Sequence, residues 1–459
     1  MYQIDFQKPA RIHFIGIGGI SMSGLAEILL DAAFKVSGSD MHASPLTKRL
    51  TEKGADVVIG QKAENITDGI DCVVYTAAIH PDNPEFKAAQ AAGIPMLTRA
   101  ELLGQIMKNY ELPIAVSGTH GKTTTTSMAS HVLLKAGYDP TISVGGILPA
   151  IHGNIRVGSS GCFITEACEY TNSFLSFFPK IELILNVDAD HLDFFKDLDD
   201  IASSFHRFAA LLPKDGTLII NRDTAKFDAV TEGLSCEVLT YSMETEADYT
   251  ASDISFDENG CGTFTVLERG TPIGSFSLRV PGIHNISNAL AVAALGRKLG
   301  LSSEVIRDGL SDFGGTERRF EYKGRMNGAV IIDDYAHHPT EISATLTAAK
   351  KYPHKKLYVA FQPHTYTRTK ALLPEFAEAL SAADHVVLAD IYAAREKNTI
   401  GISSRDLLDA LREKGTEADY FPAFSEIEDF LKTQLVEGDL LITMGAGNIV
   451  EVGEDLLRS

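Results

Sequence analysis

The chain has 459 residues, of which 44% are hydrophobic and 22% are charged, and its formal net charge is −20. This length predicts about three globular domains. Because no apolar run reaches the ~20 residues that span a bilayer, and the first residues lack a signal-peptide core, we expect a cytoplasmic protein without membrane insertion. The net negative charge opposes binding to phosphate backbones and argues against nucleic acid as a partner.

The cysteines do not form a recognisable framework. The chain contains five of them: Cys72, Cys162, Cys168, Cys236 and Cys261. Their number is odd and no pair has C-x-x-C spacing, so neither a disulfide framework nor a structural zinc site is indicated. We expect reduced thiols, and the sequence leaves the oligomeric state open between monomer and homodimer.

The first hundred residues alternate strand and helix signals, which predicts a doubly wound α/β domain. Its first turn contains Gly16, Gly18 and Gly19, and Asp40 ends the next strand. The pattern is similar to a dinucleotide fingerprint, in which glycines approach a pyrophosphate and an acid meets a ribose, except that Ser21 replaces the third glycine. The turn predicts a pyrophosphate-bearing ligand, either NAD or a UDP-sugar, with a tight turn that binds nothing as the alternative.

A glycine-rich turn, Gly118-Thr-His-Gly-Lys-Thr123, follows a predicted strand at 112–116 and precedes a predicted helix at 124–135. Such a loop directs backbone N–H groups and a helix N-terminus at a phosphate, while Lys122 reaches the β- and γ-phosphates and Thr123 ligates Mg²⁺. The pattern G-x-x-x-x-G-K-[ST] would place its first glycine two residues earlier. The turn predicts a nucleoside triphosphate site, and the alternative is a serine- and threonine-rich surface turn.

Two predicted strand ends further along the chain carry carboxylates and a histidine. Glu166 and Glu169 follow the first of these strands, and Asp188, Asp190 and His191 follow the second. Mg²⁺ and a reacting phosphoryl group require such side chains in the domain of the phosphate loop. Because acidic turns are common, a turn without a metal is the alternative.

Alternating segments within residues 236–282 predict a peripheral antiparallel patch. An alanine-rich helix follows, and its first turns contain His284, Asn285 and Asn288. These polar groups either cap the helix or contact a ligand.

Residues 314–320 look like an exposed join, after which a second alternation of strands and helices begins. Polar clusters stand at the ends of its predicted strands, at residues 333–339, 362–368, 392–396 and 445–448. Ligands of open α/β sheets bind at the carboxyl ends of the strands, so these clusters predict one edge of a cleft. A structural role is the alternative for each single histidine.

Taken in order, these motifs resemble those of the Mur ligase family. The resemblance rests on the stretch from His13 to Glu27, Gly118-Thr-His-Gly-Lys-Thr-Thr-Thr-Thr126, Asp188-Ala-Asp-His191, Pro281-Gly-Ile-His-Asn285, Asp333-Asp-Tyr-Ala-His-His-Pro339 and Gln362-Pro-His-Thr-Tyr-Thr-Arg368. It covers nearly the whole chain. It implies a three-domain α/β fold with an N-terminal Rossmann-like UDP-sugar domain (1–108), a central P-loop ATPase-like domain with a small antiparallel patch (109–319), and a C-terminal Rossmann-like domain that closes over ATP and the amino acid (320–459).

The resemblance also implies a reaction, with ATP and Mg²⁺ as cofactors. ATP would phosphorylate the lactyl carboxylate of UDP-N-acetylmuramate, and the amine of L-alanine would attack the acyl phosphate, releasing phosphate and leaving ADP. A carboxylate is a poor acyl donor, so phosphorylation supplies a leaving group, and the charge on the transferring phosphoryl group must be offset.

The resemblance assigns roles to individual residues. ATP contacts are implied for Gly118, Thr119, His120, Gly121, Lys122, Thr123, Thr124, His284, Asn285, Asn288, Arg318 and Asp334. UDP-sugar contacts are implied for Gly16, Gly18, Gly19 and Asp40, and metal ligation for Thr123, Glu166 and His191. The amino acid or the transferring phosphoryl group would meet Tyr335, His338, His364 and Arg368, and the catalytic set is Lys122, His191, His338 and Arg368. Arg368 is the preferred partner of alanine's carboxylate because a planar fork binds it bidentately.

The chain departs from its relatives in two places and leaves several alternatives open. Relatives often have Asp-Glu-Ser-Asp where this chain has Cys168-Glu-Tyr-Thr171, so a metal role for Glu169 is not assigned. Several sister ligases carry a carbamylated lysine after the Asp-His motif, whereas the stretch 197–213 of this chain has no lysine, which fits the alanine-adding branch and removes that metal-bridging group. The base for alanine's ammonium is either His338 or water. The alternatives are a ligase of the same family that attaches a recycled peptide, an NAD-dependent oxidoreductase, and a nucleotide-switched binding protein without catalysis.

Overall fold

The computed structural model describes residues 2–76, 78–192, 194–394 and 396–458, so Arg395 of the third predicted polar cluster lies outside the described residues. Within these ranges the chain forms three β-sheets in succession, with helices between the strands. The predicted three-domain α/β fold is therefore confirmed. In the described ranges, no helix combines the length and the apolar character needed to cross a bilayer.

The N-terminal domain is built on a parallel sheet. Its elements are β1 (Arg11–Ile15), α1 (Ile20–Asp31), β2 (Lys35–Asp40), α2 (Pro45–Glu52), β3 (Asp56–Ile59), β4 (Cys72–Tyr75), α3 (Pro84–Ala91), β5 (Met96–Thr98) and α4 (Arg99–Met107). The strand order is β3-β2-β1-β4-β5, and every pairing is parallel. Ile12 and Phe14 of β1 are fully buried, as are strand residues in sheets covered on both faces.

The central domain contains the largest sheet. Its elements are β6 (Leu112–Ser117), α5 (Lys122–Lys135), β7 (Thr141–Leu148), β8 (Gly153–Arg156), β9 (Cys162–Glu166), β10 (Ile181–Ile184), α6 (Leu198–Ala209), β11 (Thr217–Asn221), α7 (Phe227–Thr231), β12 (Glu237–Ser242), β13 (Tyr249–Phe256), β14 (Cys261–Glu268), β15 (Thr271–Pro281), α8 (Ile283–Lys298) and α9 (Ser303–Asp312). The strand order is β15-β14-β13-β12-β11-β10-β6-β9-β7-β8. The pairings of β13, β14 and β15 with one another are antiparallel, which confirms the predicted patch.

The C-terminal domain repeats the α/β alternation. Its elements are β16 (Glu321–Met326), β17 (Ala329–Asp334), α10 (Pro339–Ala349), β18 (Leu357–Phe361), α11 (Tyr366–Ala371), α12 (Leu373–Leu380), β19 (His385–Leu388), α13 (Ser404–Glu413), β20 (Glu417–Tyr420), α14 (Phe424–Gln434), β21 (Leu440–Met444) and α15 (Val450–Arg458). The order is β16-β17-β21-β18-β19-β20, and only the β16–β17 pairing among these is antiparallel. The polar clusters after β17, β18 and β21 therefore meet at one sheet edge.

The prediction of an exposed join at residues 314–320 is wrong in part. Thr316 is buried, and its hydroxyl lies 3.2 Å from Oγ of Ser127 on α5. The backbone N–H of Glu317 donates to the carbonyl of Ile147. The segment is packed against the central domain because its polar groups find partners there, and only part of it faces solvent.

Candidate active site

The phosphate loop lies at the carboxyl end of the central sheet. The strand β6 pairs with β9 on one side and with β10 on the other, so residues following all three strands meet there. Gly118 and Gly121 have φ values of +139° and +83°, which favour glycine. A Cβ atom on Gly121 would also lie 3.0 Å from Oδ1 of Asn288. The helix α5 begins at Lys122, so its first N–H groups face the loop as an anion site requires.

Lys122 is held across the loop by Glu169. Its Nζ donates to the carbonyls of Gly118 and Thr119 and lies 3.0 Å from Oε2 of Glu169. Glu169 is only 2% exposed. Burial opposes the charge of Lys122, but the neighbouring Glu169 carboxylate keeps its pKa above the ordinary value. Glu169, which the sequence did not identify as a metal ligand, thus acts as the counter-ion of the lysine.

Thr123 and Glu166, two of the predicted metal ligands, are in contact. The Thr123 hydroxyl donates to Oε2 of Glu166 over 3.1 Å, and the Gly145 N–H donates to the other carboxylate oxygen. Burial raises the pKa of Glu166, and the hydrogen bonds from Gly145 and Thr123 only partly offset this effect. A carboxylate and a hydroxyl at a phosphate loop are the oxygen ligands that Mg²⁺ prefers.

His191, the third predicted metal ligand, lies on a neighbouring turn. Its Nε2 is 3.9 Å from Oε1 of Glu169, and its ring lies tilted by 32° against the ring of Tyr170, with 4.5 Å between the two ring centroids. Burial lowers the pKa of His191, which favours the neutral form of the ring, the form that can offer a lone pair. Among the described residues, no three histidine, cysteine, aspartate or glutamate side chains are grouped to hold a metal ion without other ligands.

A cavity beside the loop, named here the nucleotide cavity, is lined by most of the predicted ATP contacts. Its lining includes His120, Gly121, Thr124, His284, Asn285, Asn288 and Asp334. Asn285 donates to the Pro281 carbonyl and accepts from Asn288. Gly282, the residue before α8, has no side chain with which to cap the helix. Asn285 both bonds the chain at the start of α8 and lines the cavity, so its position is compatible with a structural role and with ligand contact.

Asp334 accepts hydrogen bonds from the backbone N–H groups of Phe320 and Ala336. Burial raises its pKa to about 6, against the opposing effects of Arg319 and these bonds. Asp334 therefore fixes the wall of the nucleotide cavity at the point where the chain enters the C-terminal domain.

Arg318 does not point at the nucleotide cavity in this structure. Its guanidinium contacts Oδ2 of Asp333 at 3.0 Å and donates to the carbonyls of Gly445 and Gly447. Arg319, which the sequence reasoning missed, lines the nucleotide cavity. Both arginines line a neighbouring cleft, the cleft at Lys122, which Glu166 and Tyr335 also line. In the described chain its guanidinium has no hydrogen bond or ion pair, and its only ring contact is with Tyr335 at 5.3 Å. The sequence shows two adjacent arginines, but it does not indicate which of them faces the cavity.

The C-terminal polar residues converge on the other side of the cleft. Arg368 lies 3.3 Å from Oδ1 of Asp190 in the central domain, and 3.2 Å from Nδ1 of His364, which accepts from it. Burial by itself would raise the pKa of Asp190, but Arg368 and the nearby histidines hold it well below its usual range. Tyr335 lines the cleft at Lys122, whereas the ring of His338 lies tilted by 37° against the ring of His120, with 5.0 Å between the two ring centroids.

The helix that follows the first glycine turn also reaches this cleft, whereas Gly16, Gly18, Gly19 and Asp40 are not among the residues that line it. The Gly18 N–H donates to Oδ2 of Asp40 over 2.8 Å, and Gly16 has a φ of +84°. Asp40 thus braces the turn before α1, whose first residue, Ile20, lines the same cleft as Lys122 and Glu166. All three domains contribute to one site.

The similarity to known proteins covers the entire chain. Profiles of the Mur ligase family match its catalytic domain at residues 11–111, its middle domain at 116–296 and its glutamate ligase domain at 318–447. The chain is 62% identical to the UDP-N-acetylmuramate–L-alanine ligase of Agathobacter rectalis and 59% identical to that of Lachnospira eligens, and both alignments cover 100% of each chain.

Solved structures agree with this similarity. The UDP-N-acetylmuramate-alanine ligase MurC of Thermotoga maritima aligns with a TM-score of 0.81 at 30% identity, and a murein peptide ligase of Psychrobacter arcticus with 0.72 at 25% identity. Each alignment covers 98% of both chains. The three-domain architecture, the phosphate loop at the meeting of the domains and the sequence identity along the whole chain lead to one conclusion: the chain belongs to the Mur ligase family.

Proposed function

We propose that this protein is an ATP-dependent ligase that joins L-alanine to the lactyl carboxylate of UDP-N-acetylmuramate, a step in making peptidoglycan precursors. The observation that carries the proposal is the single cleft in which the phosphate loop meets residues of the other two domains, Ile20 and Tyr335. The named activity of relatives at 62% and 59% identity supports alanine over a recycled peptide as the acceptor. A hydride-transfer enzyme would leave Lys122 and Thr123 without a role.

The proposed chemistry balances without an external reductant or oxidant. A lactyl carboxylate oxygen attacks the γ-phosphorus of ATP, the bond to the β-phosphate oxygen breaks, and ADP leaves. The amine of L-alanine then attacks the carbonyl carbon, and phosphate departs with the carboxylate oxygen. Lys122 stabilises the negative charge that moves during both steps, and the N-terminus of α5 adds positive potential.

Mg²⁺ would be held by Thr123 and Glu166, and His191 would ligate a second ion. The fit rests on the 3.1 Å contact between the Thr123 hydroxyl and Glu166. It also rests on the raised pKa of that buried carboxyl, which a bound cation would lower by stabilising the carboxylate. Bound there, Mg²⁺ would offset the negative charge of the phosphate oxygens.

Arg368 and His364 are the proposed contacts for the carboxylate of alanine. Arg368 already pairs with Asp190, so the incoming carboxylate of alanine would share the guanidinium group with Asp190. His338 is less suited to act as the base, because its Nδ1 accepts from the Thr340 N–H and a neutral ring then carries its proton on Nε2. That buried Nε2–H has no partner among the described residues, so we propose that it donates to a substrate oxygen and that water takes the proton from the amine.

The proposal extends to domain boundaries and location. We propose boundaries at 108/109 and 319/320, because β5 and α4 precede the first and the packed join precedes the second. A reaction that consumes ATP requires a compartment that supplies it, so the cytoplasm is the proposed location.

Phosphate release from ATP tests the proposal. We expect release that requires UDP-N-acetylmuramate and L-alanine together, and little release when a tripeptide replaces L-alanine. Faster turnover with the tripeptide would support the recycling activity instead. Tight NADH binding without ATP turnover would overturn the ligase proposal, as would ATP binding without phosphate release under any acceptor.

A further inference from the structure

Glu341 occupies a position for which the proposed reaction has so far supplied no role. It lies in the first turn of α10, and its side chain is 14% exposed. One carboxylate oxygen accepts from the backbone N–H of His337 over 3.0 Å and lies 3.2 Å from Nδ1 of the same residue. The other oxygen lies 3.3 Å from Nδ1 of His120, a residue of the phosphate loop. The carboxylate therefore bridges the C-terminal and central domains.

A carboxylate in this place has an electrostatic cost. Glu341 lines both the nucleotide cavity and the cleft at Lys122, where the phosphates of ATP are proposed to bind. An uncompensated negative charge there would repel phosphates. Burial opposes ionisation of both partners, yet their mutual contact raises the pKa of His120, and together with His337 it holds the pKa of Glu341 well below its usual range. The carboxylate of Glu341 is thus paired with a residue of the phosphate loop itself.

His120 is fixed from the central-domain side as well. Its backbone N–H donates to Oδ1 of Asn186 over 2.7 Å, and its Nε2 lies 3.6 Å from Oδ2 of Asp188. His120 is therefore held by its backbone at a strand end of the central sheet and by Nδ1 of its ring at the first turn of α10, while its Nε2 has no hydrogen bond among the described residues. A shift of either domain would move this ring and the loop that carries it.

The contacts continue from Glu341 toward the proposed amino-acid site. The ring of His337 meets that of His364 edge to face at 5.6 Å, and His364 accepts from Arg368. One carboxylate thus contacts the loop for the γ-phosphate and the first member of a chain that ends at the proposed partner of alanine's carboxylate.

We propose that Glu341 is a positioning residue for the ligation, which locks the phosphate loop through His120 to the C-terminal segment that delivers the amine. This inference rests on the proposed function. Its role is to fix the distance between the acyl phosphate and the amine, because rate depends steeply on the alignment of reacting groups.

The test compares Glu341→Gln, His120→Gln and the double variant with a matched control, Glu375→Gln. Glu375 is an exposed acid in the first turn of α12 in the same domain, so the control removes an equivalent charge from a helix N-terminus. Glutamine at 341 retains an oxygen that can accept from His337. We expect kcat to fall about 10–100-fold in Glu341→Gln, with the KM for UDP-N-acetylmuramate and the thermal midpoint close to those of the control. The double variant should be no slower than the slower single variant, because both changes break the same contact between residues 341 and 120.

Two results would overturn the proposal: a kcat for Glu341→Gln equal to that of Glu375→Gln, or losses in the two single variants that multiply in the double variant. Small-angle scattering with a non-hydrolysable ATP analogue gives a second measurement that needs no turnover. We expect the analogue to compact the wild-type chain and the control more than Glu341→Gln, and equal compaction would count against the lock. If the wild-type chain releases no phosphate with both substrates, the ligase proposal fails, while the scattering comparison still decides the role of Glu341.

Discussion

Lys122 allows a catalytic role to be separated from a structural one, because its ammonium has a buried partner of its own. The variant Lys122→Met removes the charge and leaves the carboxylate of Glu169, 2% exposed, without the ammonium that lies 3.0 Å away. Breaking a buried pair from one side costs about 3–5 kcal/mol. Because Lys122 is 16% exposed and water can partly replace it, we expect a loss of about 3 kcal/mol in the free energy of unfolding.

The second variant, Lys122→Met with Glu169→Gln, removes the uncompensated charge. We expect it to regain most of the lost stability, measured by urea unfolding. Phosphate release should nevertheless stay about 10²–10³-fold or more below wild type in both variants, because a group that stabilises the transferring phosphoryl charge is missing. Binding of UDP-N-acetylmuramate, followed by calorimetry, should change little because the glycine turn of the N-terminal domain is untouched.

The double variant decides between the two roles. If it recovers more than about a tenth of wild-type phosphate release, Lys122 serves the fold and not the transfer, since the accepted loss for a missing charge-stabilising donor is larger. If Lys122→Met is as stable as wild type, the ion pair with Glu169 does not carry the stability assigned to it.

Two further predictions concern neighbouring residues. Arg319→Ala should lower kcat/KM for ATP about 10–100-fold, the equivalent of a lost hydrogen bond to a charged group. Arg318→Ala should chiefly lower the thermal midpoint, because Asp333, Gly445 and Gly447 lose their shared partner. Steady-state kinetics and thermal unfolding of both variants test this, and an exchange of the two effects would contradict it. Glu182 is fully buried on β10, and its Oε2 has no hydrogen-bond partner among the described residues. Burial raises its pKa well above 4.5, so the carboxyl group ionises in the unfolded chain at a lower pH than in the folded chain, and stability falls as the pH rises past about 4.5. Glu182→Leu should therefore stabilise the protein by about 1–3 kcal/mol at pH 8 and by less near pH 5, and a variant less stable than wild type at pH 8 would show that the carboxyl group is required by the fold.

The sequence predicts those parts of the site that local chemistry determines. The phosphate loop, Glu166 and His191 follow apolar strands, so their arrival at one sheet edge could be expected from the parallel order of strands. The start of α5 at Lys122, two residues before its predicted start, depends on the left-handed conformation of Gly121, which only the folded loop reveals.

The remaining features depend on packing between distant segments. Arg318 adopts a φ of +61°, and this turn sends its side chain to the strand ends while Arg319 faces the cavity. Sequence spacing cannot distinguish two adjacent arginines. Glu341 resembles an ordinary acid at a helix N-terminus, and its role emerges only when His120, more than two hundred residues away, is brought to 3.3 Å.

The central claim is that the γ-phosphoryl group of ATP is transferred to the carboxylate of the UDP-sugar. Labelling both lactyl carboxylate oxygens of UDP-N-acetylmuramate with ¹⁸O and analysing the released phosphate by mass spectrometry tests it most directly. The proposed reaction transfers one labelled oxygen to each phosphate and leaves the other in the amide, with one phosphate formed for each L-alanine incorporated. Unlabelled phosphate released during amide formation would contradict the acyl-phosphate route.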